Sequence, residues 1–157
     1  MLTPGSTHFK TIVKFAEKAI RLAKSSAKMD EVPVAAIIIR DGKLLAAGVN
    51  KINRSKDPTA HAELIAIQRA AKRLNNERLV DCELITTLEP CSMCTGAAVL
   101  ARVKRIYYCA AESKYAGSEK ILSNFQFNHR PELVQLHHLQ PVAAELLTGF
   151  FSKRRKK

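Results

Sequence analysis

The chain has 157 residues, 46% of them hydrophobic, enough to bury one core of ordinary size and with no need for a second domain or a linker. Its 26 Lys and Arg against 14 Asp and Glu leave a net charge of +12, the electrostatic footprint of a protein that meets polyanions. Four cysteines do not make a disulfide framework. Two stand in a Cys-x-x-Cys pair, and Cys82 and Cys109 sit in apolar strand-like runs as small hydrophobes, a usage that suits a reducing cytoplasm.

In chain order, Thr7 to Ala27 reads as a helix: Phe9, Ile12, Val13, Ala16, Ile20 and Ala23 recur at spacings of three and four, with lysines opposite. The interspersed charges exclude a signal peptide, and no apolar run approaches the ~18 residues that span a bilayer, so no membrane partner is expected. Val34 to Ile39 is a β-prone run. Asp41-Gly42 after it predicts a hairpin of strands near 34–40 and 43–49. Asn50 to Lys56 is a polar, basic loop that ends in Asp57-Pro58-Thr59, where Asp57 or Thr59 can cap the helix that follows to Leu74, before Asn75-Asn76 stops it. Glu83 to Leu88 is a third strand, and Pro90 opens a further helix. Val103 to Ala110 is a fourth strand, Leu133 to Leu139 a fifth, and Pro141 to Arg155 a last helix. Strands alternating with helices after an initial hairpin predict an α/β domain, a mixed sheet covered by helices on both faces.

The chemistry sits in His61-Ala62-Glu63 and Pro90-Cys91-Ser92-Met93-Cys94. One imidazole and two thiolates make a three-ligand zinc site; a structural site is closed by four protein ligands, so the open fourth position marks a catalytic one, with one zinc per chain. Glu63, two residues from His61, points away from the metal and is placed to handle protons for a bound water. Cys91 and Cys94 fall at i and i+3 near a helix N-terminus, whose N–H groups lower thiolate pKa.

These residues carry a resemblance. His-Ala-Glu followed by Pro-Cys-x-x-Cys matches the signature of the zinc-dependent nucleoside and nucleobase deaminases. Within that superfamily, Glu31 to Ala36, Asp57 to Glu63, Thr87 to Cys94, Asn128-His129-Arg130 and Phe150-Phe151 are similar to the bacterial tRNA adenosine deaminases, and the similarity runs from about Phe9 to the last helix. The resemblance implies a cytidine-deaminase-like α/β fold, a three-layer α/β/α sandwich with a central mixed sheet of about five strands and the two zinc-bearing helices side by side on one face. It implies a single zinc-dependent deaminase domain over residues 1–157, usually homodimeric, that converts adenosine to inosine at the wobble position of a tRNA anticodon stem-loop. Glu63 is then the catalytic acid and base, and His61, Cys91 and Cys94 hold the zinc.

For substrate binding, the resemblance puts Asn50 on the target base and ribose; a turn-forming Asn is the plainer reading of that residue. Lys51, Arg54 and Lys56 beside the zinc helix, and Phe150 and Phe151 with Lys153, Arg154, Arg155, Lys156 and Lys157, combine stacking rings with cations for a flipped-out nucleotide and its flanking backbone. Glu112 to Gly117, with Lys114, departs from the family pattern in a loop near the substrate. His8, His129, His137 and His138 read as structural or surface residues. A free nucleobase or nucleoside deaminase acting on guanine or cytosine is the alternative, since those relatives share the zinc motif.

Overall fold

The computed structural model describes Thr3 and Gly5 to Arg155. In order, the elements are α1 (Thr7–Ala27), β1 (Ala35–Arg40), β2 (Lys43–Val49), the short α2 (Ile52–Ser55), α3 (Ala62–Leu74), β3 (Cys82–Leu88), α4 (Ser92–Leu100), β4 (Arg105–Ala110), α5 (Ser118–Asn124), β5 (Glu132–Gln135), a 3₁₀ turn (His137–Leu139) and α6 (Gln140–Arg155). The sheet has five strands in the order β2-β1-β3-β4-β5. β1 is antiparallel to both β2 and β3, while β3, β4 and β5 run parallel.

The strand period of two sorts the core into two layers. Ala36 and Ile38 of β1, Leu84 of β3 and Ile106 of β4 pack against Ala62, Ala66 and Ala70 of α3 and Ala98 of α4. Their neighbours Ala35, Ile37, Ile39, Ile85 and Tyr107 point the other way, onto Ile12, Ala16, Ile20 and Ala23 of α1 and Ala143 of α6. Central strands covered on both faces must be apolar at consecutive positions, which is why β1 reads as an unbroken run and only the edge strand β2 alternates. The result is the expected α/β/α sandwich with a mixed five-stranded sheet.

The hairpin forms as the Asp41-Gly42 pair predicts, with Arg40 opposite Lys43 and positive φ at both turn residues. α1 spans the expected residues and takes its cap from Ser6, whose Oγ accepts the Phe9 N–H at 3.1 Å. Asn75, in the left-handed conformation, ends α3. Several boundaries differ from the sequence reading. The Asn50–Lys56 loop contains α2, held because the buried Glu31 carboxylate accepts the N–H groups of Asn53 and Arg54. Asp57 and Thr59 do not cap α3: Asp57 Oδ1 instead accepts the Thr59 N–H at 2.8 Å in a local turn, and His61 occupies the capping position. Pro90 lies outside α4, whose cap is Cys91. β4 begins at Arg105 rather than Val103. β5 ends at Gln135, where the chain tightens into the 3₁₀ turn instead of extending to Leu139. α5 lies in a stretch with no periodic apolar pattern.

β2 presses closely on α3. A Cβ on Gly48 would overlap the Ala62 carbonyl oxygen and stand 2.8 Å from the Ala66 nitrogen, so backbone meets backbone with nothing able to rotate away. Gly48→Ala should therefore destabilise the chain by about 2–3 kcal/mol, read as a lower denaturant midpoint, the range found for overpacked cores. An unchanged midpoint would mean that α3 is free to slide on the sheet.

Candidate active site

The site is assembled where α3 and α4 start, side by side on one face of the sheet. His61 caps α3 in extended conformation, with φ −73° and ψ 149°, and makes no capping bond with its own side chain. Asn50, at the end of β2, does that work from outside: its Oδ1 accepts the Ala62 N–H at 3.0 Å, and the Lys51 N–H donates to the Ala60 carbonyl at 3.0 Å. The imidazole is thereby left free to turn toward α4. Cys91 caps α4 with φ −69° and ψ 176°, and the Thr95 N–H reaches back to its carbonyl at 2.8 Å. Cys94 lies in the first turn of α4 and is fully buried.

The two halves meet. His61 Nδ1 is 3.7 Å from Cys91 Sγ, and ligand atoms of His61, Cys91 and Cys94 all lie within 4.8 Å of one another. Tetrahedral zinc, with bonds of about 2.0–2.3 Å to nitrogen and sulfur, sets its ligands roughly 3.5–3.8 Å apart. The donor set fits zinc, and the His61–Cys91 separation already matches it. Glu63 is outside that cluster, buried at 3% exposure, and its Oε2 accepts from the Cys94 thiol at 3.7 Å. As the second residue of α3 it also sits at the positive end of the helix dipole.

Proton affinities in the cluster are spread apart. Cys91 is held down to about 4, chiefly by the hydrogen bond from Cys94 and also by His61. Cys94 is driven well above the ordinary thiol value by that same bond and by burial, so of the two sulfurs it keeps the proton. His61 is raised by its bond to the Cys91 sulfur. A divalent cation takes the place of the protons so shared, which is how thiolate sites load. Burial pushes the Glu63 carboxyl up to about 7, and a cation at the cluster draws it down from there.

A cavity of about 780 Å³ opens over these groups. Its floor is His61, Glu63, Cys91 and Asn50, its inner wall is Val32, Val34 and Leu88, and Lys114, Tyr115, Phe151, Arg154 and Arg155 stand around it. Of the residues named from sequence, the fold thus brings Asn50, His61, Glu63, Cys91, Lys114, Phe151 and Arg154 to one space, with Cys94 directly behind. Lys114 Nζ lies 4.6 Å from the centre of the Phe151 ring. Arg154 stacks on Phe150 at 4.8 Å and pairs with Asp30 at 2.8 Å. Lys51, Arg54 and Phe150 are not in the cavity wall. Lys51 caps α2, Arg54 reaches Met29 Sδ at 3.2 Å, and Phe150 packs edge-on to Phe151. Lys56 and Lys153 are exposed, and Lys156 and Lys157 lie outside the described residues. His129 is structural, bonding the Val103 carbonyl at 2.7 Å, and His8 pairs with Glu83.

Two buried carboxylates escaped the sequence reading. Glu31 organises α2, and Glu89 borders the cavity while binding the chain beyond β4. Their partners are backbone N–H groups distant in sequence, which leave no mark in a local pattern. Among the described residues no helix is long and apolar enough to cross a membrane.

Residues 10–110 match the family described as the cytidine and deoxycytidylate deaminase zinc-binding region. A tRNA-specific adenosine deaminase of Aquifex aeolicus is 42% identical over 144 residues, 90% of this chain and 94% of the relative. One from Haemophilus influenzae is 35% identical, over 91% of this chain and 84% of its own. Among solved structures, one described as a tRNA:A34 deaminase, from work on A-to-I editing at the wobble position, superposes with a TM-score of 0.81 at 35% identity, covering 86% of this chain and 99% of that one. A guanine deaminase from Bacillus subtilis superposes with a TM-score of 0.62 at 33% identity, covering 90% and 92%. With His61, Cys91 and Cys94 converging beneath the cavity and these matches spanning nearly the whole length, the chain belongs to the zinc-binding cytidine and deoxycytidylate deaminase family and, within it, to the tRNA-specific adenosine deaminases.

Proposed function

We propose that this chain converts adenosine to inosine at the wobble position of a tRNA anticodon stem-loop, as a single zinc-dependent deaminase domain over residues 1–157 working as a cytoplasmic homodimer. The observation that carries the reading is the buried Glu63 carboxyl facing, with His61 and Cys91, a cavity rimmed by Lys114, Arg154 and Arg155. A neutral base would need no such rim; a nucleotide within a polyanion does. The names of the relatives support the same substrate. The exposed Leu100 and Phe125 are apolar surface that a second copy would cover.

His61, Cys91 and Cys94 would hold a zinc ion, which would lower the pKa of water from about 15.7 toward 7 and so supply a nucleophile at neutral pH. The rest falls to side chains. Glu63 takes one proton from the attacking water and delivers it to N1 of the adenine ring as the oxygen bonds to C6, then takes the remaining hydroxyl proton and gives it to the amine as the C6–N bond breaks. Water enters and ammonia leaves, with one carboxyl acting first as base and then as acid. Asn50, its oxygen committed to the Ala62 N–H, has its amide nitrogen to donate to the bound nucleoside. First-turn N–H groups of α4 add charge stabilisation at the reacting carbon. Phe151 offers a ring to the flipped base, and Lys51, Arg54 and Phe150, beyond the cavity wall, suit the nucleotides on either side.

The direct test is inosine formation in transcribed tRNAs carrying a wobble adenosine. Deamination of free guanine with tRNA left untouched would transfer the chain to the alternative reading. The cationic end of α6 supplies a second measurement: replacing Lys153, Arg154 and Arg155 with Gln should weaken RNA binding and flatten the slope of log K against log salt by about 0.7 for each phosphate no longer neutralised. An unchanged slope would make the end of α6 a solvated terminus only.

A further inference from the structure

Glu89 precedes the Pro-Cys of the metal site and is 6% exposed, yet no cation pairs with it among the described residues. Its carboxylate is satisfied by backbone. Oε2 accepts the Glu112 N–H at 3.0 Å and Oε1 accepts the Glu119 N–H at 3.0 Å. Those two amides, one just after β4 and one in the first turn of α5, bracket the excursion that carries Lys114 and Tyr115 into the cavity wall. Gly117, within the same excursion, lies directly on the carboxyl: a Cβ there would overlap Glu89 Cδ and Oε1, and its backbone bridges to Cys91. At its far end Ser118 Oγ meets Thr95 Oγ1 of α4 at 2.7 Å.

We propose that Glu89 is a positioning residue: its one carboxylate pins both ends of the 112–119 excursion and so sets Lys114 against Phe151 and Tyr115 in the cavity wall. A buried charge costs free energy unless it is fully hydrogen-bonded. Here the bonds that satisfy it are those that hold the wall, so the wall cannot lift without stranding the charge. The absence of a side chain at Gly117 is what lets the backbone come close enough. This assignment rests on the proposed tRNA reading for its kinetic consequence, although not for its geometry.

The test uses full-length protein and the conservative change Glu89→Gln, whose amide can accept from one of the two N–H groups but opposes the other. Loss of a hydrogen bond to a charged acceptor corresponds to roughly a tenfold change or more. Amide exchange across 112–119 should accelerate by about that factor, with one zinc per chain retained. The KM for the tRNA stem-loop should rise about tenfold while kcat stays within about threefold, the signature of lost binding rather than lost chemistry. Lys114→Ala should raise KM in the parent and add little on top of Glu89→Gln, because the lysine is already displaced. Gly117→Ala, which pushes the same loop off an intact carboxylate, should reproduce the pattern and carries the test if Glu89→Gln does not fold. Unchanged exchange, or a Lys114→Ala effect that adds in full, would overturn the assignment. If the parent makes no inosine in RNA, the substrate reading fails, and exchange at 112–119 decides the pinning role alone.

Discussion

Glu63→Gln should leave one zinc per chain and unaltered tRNA affinity, and should reduce inosine formation by roughly 10²–10⁴-fold or more, the range for removing an essential acid–base group. The expectation follows from where the carboxylate sits: two residues from His61, 3% exposed, outside the cluster formed by the three ligands, and in the cavity floor. Gln keeps the volume and cannot carry protons. Zinc analysis, filter binding and single-turnover rates separate the possibilities, and loss of zinc in the variant would make the carboxylate a ligand and undo the mechanism. The same change has an opposite effect on stability in the metal-free protein. A carboxyl raised to about 7 by burial costs stability increasingly as pH climbs from the ordinary carboxylate range through 7. Metal-free Glu63→Gln should therefore outlast the metal-free parent in denaturant at pH 8 and lose that advantage at pH 4.

Cys91→Ala should reduce bound zinc from one per chain to near zero and abolish activity, without unfolding the chain. Two protein ligands are left, too few to hold zinc against water where three leave only the catalytic position open. The fold should survive because α3 and α4 are placed by other means. Asn50 caps α3, Ala62 and Ala66 of α3 and Ala98 of α4 are fully buried against the sheet, and the Thr95 and Ser118 hydroxyls tie α4 to α5. Elemental analysis beside far-ultraviolet circular dichroism reads both parts. Full zinc occupancy in the variant would mean that Glu63 or another group closes the coordination, and the three-ligand assignment would be lost.

Both effects depend on a division of labour at one end of the strands. The proposed metal ligands and proton carrier come from helix starts packed on rigid strands, where position is held by buried apolar packing. The cavity rim comes from the 112–119 excursion, pinned by polar bonds such as those to Glu89, and from α6, whose outer residues meet the rim through Arg154 with Asp30 and Lys114 with Phe151. Substitutions in the first group should change chemistry, and those in the second should change which RNA is bound and how tightly.

What is local follows from the order of residues alone. The stripe of α1, the Asp41-Gly42 turn, the stop at Asn75 and the apolar runs of β1 and β3 are set by periodicities of two and 3.6 and by backbone preference, and each element forms where those rules place it. The convergence of His61, Cys91 and Cys94 was equally legible, because His-x-Glu and Cys-x-x-Cys are spacings that metal chemistry imposes on neighbouring residues. What joins distant segments depends on how the chain packs. Packing alone sets Asn50 rather than Asp57 on the start of α3, and gives Glu31 the N–H groups of α2. It places Lys114, Phe151 and Arg154 in one wall while leaving Lys51, Arg54 and Phe150 outside it, and closes Glu89 on Glu112 and Glu119. A buried carboxylate takes whichever backbone N–H the packing brings within about 3 Å, and that N–H carries no residue identity from which the pairing could be read.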